Sequence, residues 1–159
     1  MIAILGISHQ SAPVSVRAAY AFDDHEKLAF ADRIRLSLQL EGIVILSTCN
    51  RTELYINSMI EDENKIFRIL LSQLTEFKNS DGSNNQSFYF LTNAKAVEQL
   101  FKVTSGLESL VLGEEQILCQ VKDAFRHAQI NKLTDCIISR LFIKAIESGK
   151  KSPYRNPPE

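Results

Sequence analysis

The sequence predicts an α+β fold, in which a small sheet with two helices is followed by an all-helical part. Short apolar runs of strand length occur four times before residue 92. Two stretches between these runs carry apolar residues at helical spacing. After residue 92 only helical spacing is found. The chain order therefore indicates one mixed part and one helical part.

The first strand and the first helix are read from the beginning of the chain. Residues 2–7 form a short apolar run that is typical of a buried strand. Asp23 and Asp24 stand where a helix N-cap is expected, and residues 28–38 follow with rough helical spacing. We expect Gly42 to stop that helix, since glycine is the usual residue just past a helix end.

Three more strands and a second helix complete the predicted sheet. Residues 43–47 and 53–58 are strand candidates joined by a short polar turn, which predicts a hairpin. Residues 66–74 form an amphipathic helix, residues 79–86 a polar loop, and residues 87–91 an aromatic-rich fourth strand. The resulting order, β-α-β-β-α-β, is the split βαβ arrangement of ferredoxin-like folds.

The second half of the chain carries three helical patterns, at residues 94–103, 113–130 and 134–148. The last residues are rich in proline, which excludes a helix there. The sequence therefore divides into a ferredoxin-like subdomain, a helical subdomain and a loose tail. Their expected limits are residues 1–92, 93–150 and 151–159.

Bulk properties exclude several classes of protein. With 159 residues and a net charge of −1, the chain is one domain or two small ones and lacks the basic excess of a general nucleic-acid binder. No apolar run approaches membrane-spanning length. The three cysteines are odd in number and lack CxxC spacing, which argues for reduced thiols in the cytoplasm and against a zinc site.

The polar turn between the second and third strands reads STCNRT and centres on Cys49. A hairpin tip exposes this thiol between hydrogen-bonding side chains, two residues from the guanidinium of Arg51. A neighbouring cation favours the nucleophilic thiolate. The alternative is a buried cysteine that serves as a small hydrophobic residue at a strand end.

A second segment with functional potential runs from residue 105 to residue 122. Gln116 and Gln120 are four residues apart on one helix face, and Ser109 precedes them, so the three side chains suit a small polar substrate. The alternative is that Glu114 and Glu115 are simply acidic residues in a first helical turn, where the helix dipole favours them.

Other chemistry-bearing motifs are few. His9 follows the first strand and is either a structural hydrogen-bonding residue or a base. The sequence contains no GxGxxG or Walker-type loop, so we expect no nucleotide cofactor site in this chain, and no HExxH or paired-cysteine metal site.

Three separated motifs, in order, resemble those of glutamyl-tRNA reductase. They read GIxHxxAPVxxR near the start, STCNRTELY in the middle and GLxSxVLGExQIxxQVKxAF later. The resemblance extends to about Lys150, whereas the final SPYRNPPE does not resemble the family. The family's enzyme has an N-terminal catalytic domain, an NADPH-binding domain and a C-terminal dimerisation domain, and this chain resembles only the first.

The resemblance implies a two-step reaction. The Cys49 thiolate attacks the ester that joins glutamate to the tRNA, which releases tRNA and leaves a thioester. Hydride from NADPH, bound by a domain absent from this chain, then gives glutamate-1-semialdehyde for tetrapyrrole synthesis. The implied partners are glutamyl-tRNA and a second subunit, paired through an absent C-terminal domain, with no membrane.

The resemblance also implies the site residues. Cys49 is the nucleophile, Arg51 pairs with a substrate carboxylate, and Glu114 binds the substrate ammonium. The full substrate-contacting set is Thr48, Asn50, Arg51, Ser109, Glu114, Glu115, Gln116 and Gln120.

Two positions depart from the family's pattern. Gln99 stands where the family usually has a histidine with an activity-supporting role, and an amide does not shuttle protons near neutral pH. Cys119 stands where glycine is common, and we expect it to serve packing. Gln99 and the missing cofactor domain favour a rival interpretation, a non-catalytic ferredoxin-like module that binds an aminoacyl group or a partner.

Overall fold

The structure, a computed structural model, describes residues 1–112 and 114–153. The described residues form four strands and six α-helices. Strands and helices are mixed up to Thr92, and only helices follow. In chain order they are β1 (Ile2–Ser8), α1 (Val14–Ala19), α2 (Asp24–Ile34), β2 (Leu40–Ser47), β3 (Arg51–Ser58), α3 (Glu63–Phe77), a short 3₁₀ turn (Asn85–Ser87), β4 (Tyr89–Thr92), α4 (Asn93–Ser105), α5 (Glu115–Ile130) and α6 (Cys136–Lys150).

The four strands form one sheet in the order β2-β3-β1-β4, and every neighbouring pair is antiparallel. In the two pairings that β1 makes, Ile4 lies opposite Tyr55 of β3 and opposite Leu91 of β4. This order and the β-α-β-β-α-β sequence of elements confirm the predicted ferredoxin-like fold with a helical part after it.

Helices cover both faces of the sheet. On one face, Phe22, Phe30 and Phe77 bring their rings together, with centroids 5.2 to 5.8 Å apart, beside α2 and α3. On the other face, Phe142 of α6 meets Tyr55 of β3 edge-on at 5.3 Å. One hydrophobic core runs through both layers, so the helical half packs directly on the sheet. The division at residue 92 stays a prediction.

All eight residues of β3 are buried because this central strand is covered on both faces. Successive side chains of a strand point to opposite faces. Arg51, Glu53, Tyr55 and Asn57 therefore share one face, and Asn57 donates a hydrogen bond to Asp135 beside α6 at 2.7 Å. A polar row thus lies under the α4–α6 layer.

The end of α2 corrects one prediction. The helix ends at Ile34, and the turn that follows is closed by Gln39, whose φ of 45° is left-handed. The N–H of Leu40 then donates to the Arg35 carbonyl at 2.9 Å, as in a Schellman C-cap. Gly42 does not stop the helix but lies in β2, where a Cβ would approach Asp135 Oδ1 to 2.6 Å.

The chain end differs in part from the predicted tail. Lys151 caps α6, and Ser152 is buried and donates its hydroxyl to the Ser105 carbonyl at 3.0 Å. The predicted tail therefore begins later than residue 151. Residues 154–159 lie outside the described residues.

The absence of a side chain at Gly6 leaves room for the ring of Tyr89, which lies beside the polar row of β3. A Cβ at this position would come within 2.4 to 2.6 Å of the Tyr89 ring. We expect Gly6→Ala to lower the free energy of unfolding by about 1–3 kcal/mol, the usual cost of overpacking. Urea denaturation measures it.

The control for this prediction is the double variant Gly6→Ala with Tyr89→Leu. Removing the ring should make the added methyl group cost less than it costs in the parent. An equal cost in both backgrounds would contradict the steric explanation.

Candidate active site

Cys49 lies in the turn between β2 and β3, and its side chain is exposed and free. The Thr48 hydroxyl holds the turn by accepting hydrogen bonds from the backbone N–H groups of Asn50 (3.1 Å) and Arg51 (3.2 Å). The N–H of Thr48 donates to the Arg51 carbonyl at 2.8 Å and closes the hairpin. The predicted hairpin tip with an exposed thiol is therefore present.

The loop after β1 packs against this turn. The backbone N–H of His9 donates to the Asn50 carbonyl at 2.8 Å, while the buried Nδ1 of His9 has no hydrogen-bond partner. Burial lowers the pKa of His9, and the positive charges of Arg51 and Arg17 lower it further. The imidazole is therefore neutral beside the turn at neutral pH.

A narrow cleft of about 20 Å³ opens beside the cysteine turn, which is room for about one water molecule. Besides Cys49, seven of its lining residues belong to the predicted substrate-contacting set. The lining residues are Thr48, Cys49, Asn50, Arg51, Ser109, Glu114, Gln116, Ile117 and Gln120. The structure thus brings together the two segments singled out in the sequence.

Helix α5 supplies one wall of the cleft. Gln116 and Gln120 line it from adjacent turns, with buried Ile117 between them. Glu115 is exposed in the first turn and does not line the cleft. Its position agrees with the alternative interpretation, an acidic residue favoured by the helix dipole.

Arg51 is only 2% exposed and is already engaged. Its Nη1 donates to Glu53 Oε1 at 2.9 Å, and its Nη2 donates to the Glu108 carbonyl at 2.5 Å. Burial by itself would lower the pKa of Arg51, but the charge and hydrogen bond of Glu53 outweigh it and raise that pKa. The guanidinium is therefore a fixed cation at the cleft.

Glu53 is the residue that sequence reasoning missed. It is fully buried, and its second oxygen accepts a hydrogen bond from Gln99 Nε2 at 3.3 Å. Gln99 lines a neighbouring pocket and not the Cys49 cleft. The sequence did contain one sign of its role: Arg51 and Glu53 are two residues apart on a predicted strand, which places both side chains on one face.

Two phenols enclose the Glu53 carboxylate. Burial raises the pKa of Tyr55 and of Tyr89 well above the usual value, and the charge of Glu53 raises it further. Both hydroxyls are buried without a partner that meets hydrogen-bond geometry. Neither phenol ionises near neutral pH, so neither adds a negative charge beside this carboxylate, whose ion-pair partner is Arg51.

Exposure does not set Cys49 apart from the other thiols. Cys119 on α5 and Cys136 at the start of α6 are exposed as well. The expectation that Cys119 serves packing is therefore wrong, because its helix turns that side chain toward solvent. Cys49 lines a cleft with the buried Arg51, whereas Cys136 lines a different pocket with Arg140 and Lys144.

Metal and membrane features were also sought in residues 1–112 and 114–153. Within these ranges no three His, Cys, Asp or Glu side chains are grouped so that they could hold a metal ion. None of the helices described there is both long and apolar enough to cross a bilayer.

The buried pair of Arg51 and Glu53 yields a stability prediction. We expect Glu53→Ala to lower the free energy of unfolding by about 3–5 kcal/mol, because it leaves a buried guanidinium uncompensated. Glu98→Ala, which breaks the exposed pair with Lys102, should cost less than about 1 kcal/mol. Urea denaturation compares the two. Similar costs for both variants would contradict the assignment.

His9 yields a pH prediction. The unfolded imidazole takes up a proton near pH 6.5, whereas burial and two arginines hold the folded pKa lower. The resulting stability is fully present above pH 6.5 and is lost as the pH falls through the folded pKa. We expect His9→Gln to flatten the fall of the Tm between neutral and mildly acidic pH. An unchanged slope would contradict this.

Comparisons with known proteins agree with one another. The family described as "Glutamyl-tRNAGlu reductase, N-terminal domain" matches residues 5–153. The chain is 43% identical to glutamyl-tRNA reductase of Carboxydothermus hydrogenoformans over 94% of its length, and 40% identical to that of Rubrobacter xylanophilus over 95%. The matches span 33% and 35% of those relatives, so the chain covers about a third of their length.

A solved structure gives the same result. Glutamyl-tRNA reductase from Methanopyrus kandleri superposes with a TM-score of 0.76 at 29% identity, covering 95% of this chain and 34% of that one. Sequence and fold therefore lead to one assignment. The chain belongs to the glutamyl-tRNA reductase family and corresponds to its N-terminal domain.

Proposed function

We propose that this chain carries the acyl-transfer step of a glutamyl-tRNA reductase, with Cys49 as the nucleophile. The observation that carries the proposal is the exposed Cys49 thiol, which lines one cleft with Arg51 and with the polar side chains of α5. A thiolate and a carboxylate-binding cation at one cleft suit an acyl group that bears a second carboxylate.

The proposed step forms one bond and breaks another. The Cys49 thiolate adds to the carbonyl carbon of the ester between glutamate and the 3′-terminal ribose. The carbon–oxygen bond to the ribose then breaks, the oxygen takes up a proton, and tRNA leaves. A glutamyl thioester remains on Cys49, and it accepts hydride more readily than a carboxylate does.

Arg51 is the proposed partner of the substrate side-chain carboxylate. A guanidinium has five N–H donors, of which two are used in the contacts with Glu53 and the Glu108 carbonyl. We place the carboxylate on the cleft side of Arg51, where it takes over the donor held by that carbonyl. Exchange of a carbonyl for a carboxylate is favourable because ionised acceptors form the stronger hydrogen bonds.

The other proposed contacts orient the amino acid. Glu114 binds the α-ammonium as its counter-charge, while Ser109, Gln116 and Gln120 supply hydrogen bonds. Thr48 and Asn50 keep the cysteine turn in shape. Glu115 is proposed to act only through its charge in the first helical turn, since it lies off the cleft.

NADPH supplies the hydride for the reduction that follows. In the part of the chain described here, no turn from a strand into a helix contains glycine, and the sheet is antiparallel throughout. These residues do not fit a dinucleotide of the Rossmann type. We therefore assign the cofactor to another part of the enzyme and derive no step through it on this chain.

The proposed setting is the cytoplasm, where three thiols remain reduced. The product of the whole enzyme is glutamate-1-semialdehyde for tetrapyrrole synthesis, and the proposed full-length protein is a homodimer. Within the chain we propose that residues 1–92 carry the cysteine turn and that residues 93–150 complete the glutamate pocket.

A second candidate is a non-catalytic module that binds an aminoacyl group or a partner. The observation that favours it is Gln99, which cannot shuttle a proton near neutral pH and contacts Glu53 instead. Such a module would bind glutamyl-tRNA without forming a covalent adduct.

We expect this chain, incubated with glutamyl-tRNA, to gain one glutamyl group on Cys49, as read by mass spectrometry of its peptides. Slow hydrolysis of that thioester should release glutamate, and Cys49→Ser should abolish both, since an alcohol is a far weaker nucleophile at neutral pH. Cys119→Ser is the matched control and should behave as the parent. Equal glutamate release by Cys49→Ser and the parent would reject covalent catalysis. Binding without an adduct would favour the module.

A further inference from the structure

We propose that Glu53 and Gln99 are positioning residues, which together fix the orientation of the Arg51 guanidinium at the Cys49 cleft. Neither of them lines that cleft. The inference rests on the proposed function, in which Arg51 receives the substrate carboxylate. It assigns Gln99 a role that needs no proton transfer.

The first step is the fit between Glu53 and Arg51. Both side chains lie on the face of β3 that α4–α6 cover, and their exposed fractions are 0% and 2%. Glu53 Oε1 accepts from Nη1 at 2.9 Å. A guanidinium is planar. When its strand and one of its Nη atoms are both held in place, the other N–H groups have little freedom to change direction. Glu53 therefore sets the direction in which Arg51 presents its remaining donors.

The second step is the contact between Gln99 and Glu53. Nε2 of Gln99 donates to Oε2 at 3.3 Å, the oxygen that Arg51 does not use. A carboxylate held at both oxygens cannot rotate about its last bond without losing one contact. Helix α4 thus holds the Glu53 carboxylate, which in turn holds the Arg51 guanidinium.

The third step is the separation of Gln99 from the chemistry. Gln99 lines a pocket of about 290 Å³ with Ser8, Tyr89 and Glu108, and Cys49 is not among the residues that line it. Its observed route to the cleft is the chain of contacts from Gln99 to Glu53 to Arg51. An effect of position 99 on the reaction therefore passes through the orientation of Arg51.

The fourth step is the enclosure of the carboxylate. Gly6 lies opposite Glu53 on β1, and the Tyr89 ring occupies the room that a side chain there would take. Tyr55 follows Glu53 on the same face. Water that would compete for Glu53 is thereby kept away, which strengthens the contacts with Arg51 and Gln99.

The test compares the parent with Gln99→Met, which keeps the length of the side chain and removes its amide. Glu98→Met is the matched control, because it places the same side chain one position earlier on the exposed side of α4. We measure kcat and KM for tRNA release from glutamyl-tRNA and from glutaminyl-tRNA. The NMR resonances of the Arg51 guanidinium and the rate of Cys49 alkylation by iodoacetamide are recorded in parallel.

We expect Gln99→Met to raise the KM for glutamyl-tRNA about tenfold, on the scale of one hydrogen bond to a charged group. In the same variant, the KM for glutaminyl-tRNA and the alkylation rate of Cys49 should match those of the parent. Glu98→Met should match the parent in every one of these measurements. The separate Arg51 Nη resonances should merge as the guanidinium gains rotation. Glu53→Gln should raise the same KM, and adding Gln99→Met to it should change little.

Two results would overturn the proposal. One is an unchanged KM and unchanged Arg51 resonances in Gln99→Met. The other is a loss confined to kcat, together with a new step in the pH–rate profile near about 6.5 in Gln99→His, which marks proton transfer at this position. If the parent releases no tRNA, the proposed function fails, and the Arg51 resonances alone decide whether Gln99 positions Arg51.

Discussion

The buried ion pair between Arg51 and Glu53 is the constraint on which the site depends. A charge without a partner is costly in a protein interior, so each of these residues requires the other. Their strand, β3, is covered by helices on both faces, which excludes solvent as a substitute partner. The cysteine turn ends directly before Arg51, and its geometry is thus tied to a contact that the fold cannot easily release.

The ferredoxin-like sheet and the helical layer have different tasks in this arrangement. The sheet holds the hairpin tip between β2 and β3 and turns the polar row of β3 toward the helical layer. The helices supply the opposite wall: α5 brings Gln116 and Gln120 to the cleft, and α4 brings Gln99 to Glu53. Because one hydrophobic core joins both layers, the helices that form this wall are packed directly on the sheet.

Local features of the site and the order of elements were predictable from the sequence, whereas contacts between distant elements were not. The STCNRT turn is flanked by two apolar runs, so its hairpin followed from local pattern alone. The role of Glu53 depends on where α4 packs, 46 residues later in the chain, and periodicity carries no information on that. The end of α2 was predicted wrongly because the residue that ends the turn, Gln39, has a left-handed conformation that usually favours glycine. The sequence pattern pointed to Gly42 instead.

The contact between Arg51 and the Glu108 carbonyl bears on fidelity. This neutral acceptor already occupies one N–H of the guanidinium at 2.5 Å, so a ligand that displaces it gains only the difference between the two hydrogen bonds. A neutral side-chain amide exchanges like for like and gains almost nothing. A carboxylate forms a stronger hydrogen bond than the carbonyl it replaces, since hydrogen bonds to ionised acceptors are about twice as strong as those to neutral ones. In the proposed function, the substrate must therefore displace this carbonyl, and a carboxylate does so more favourably than a neutral amide.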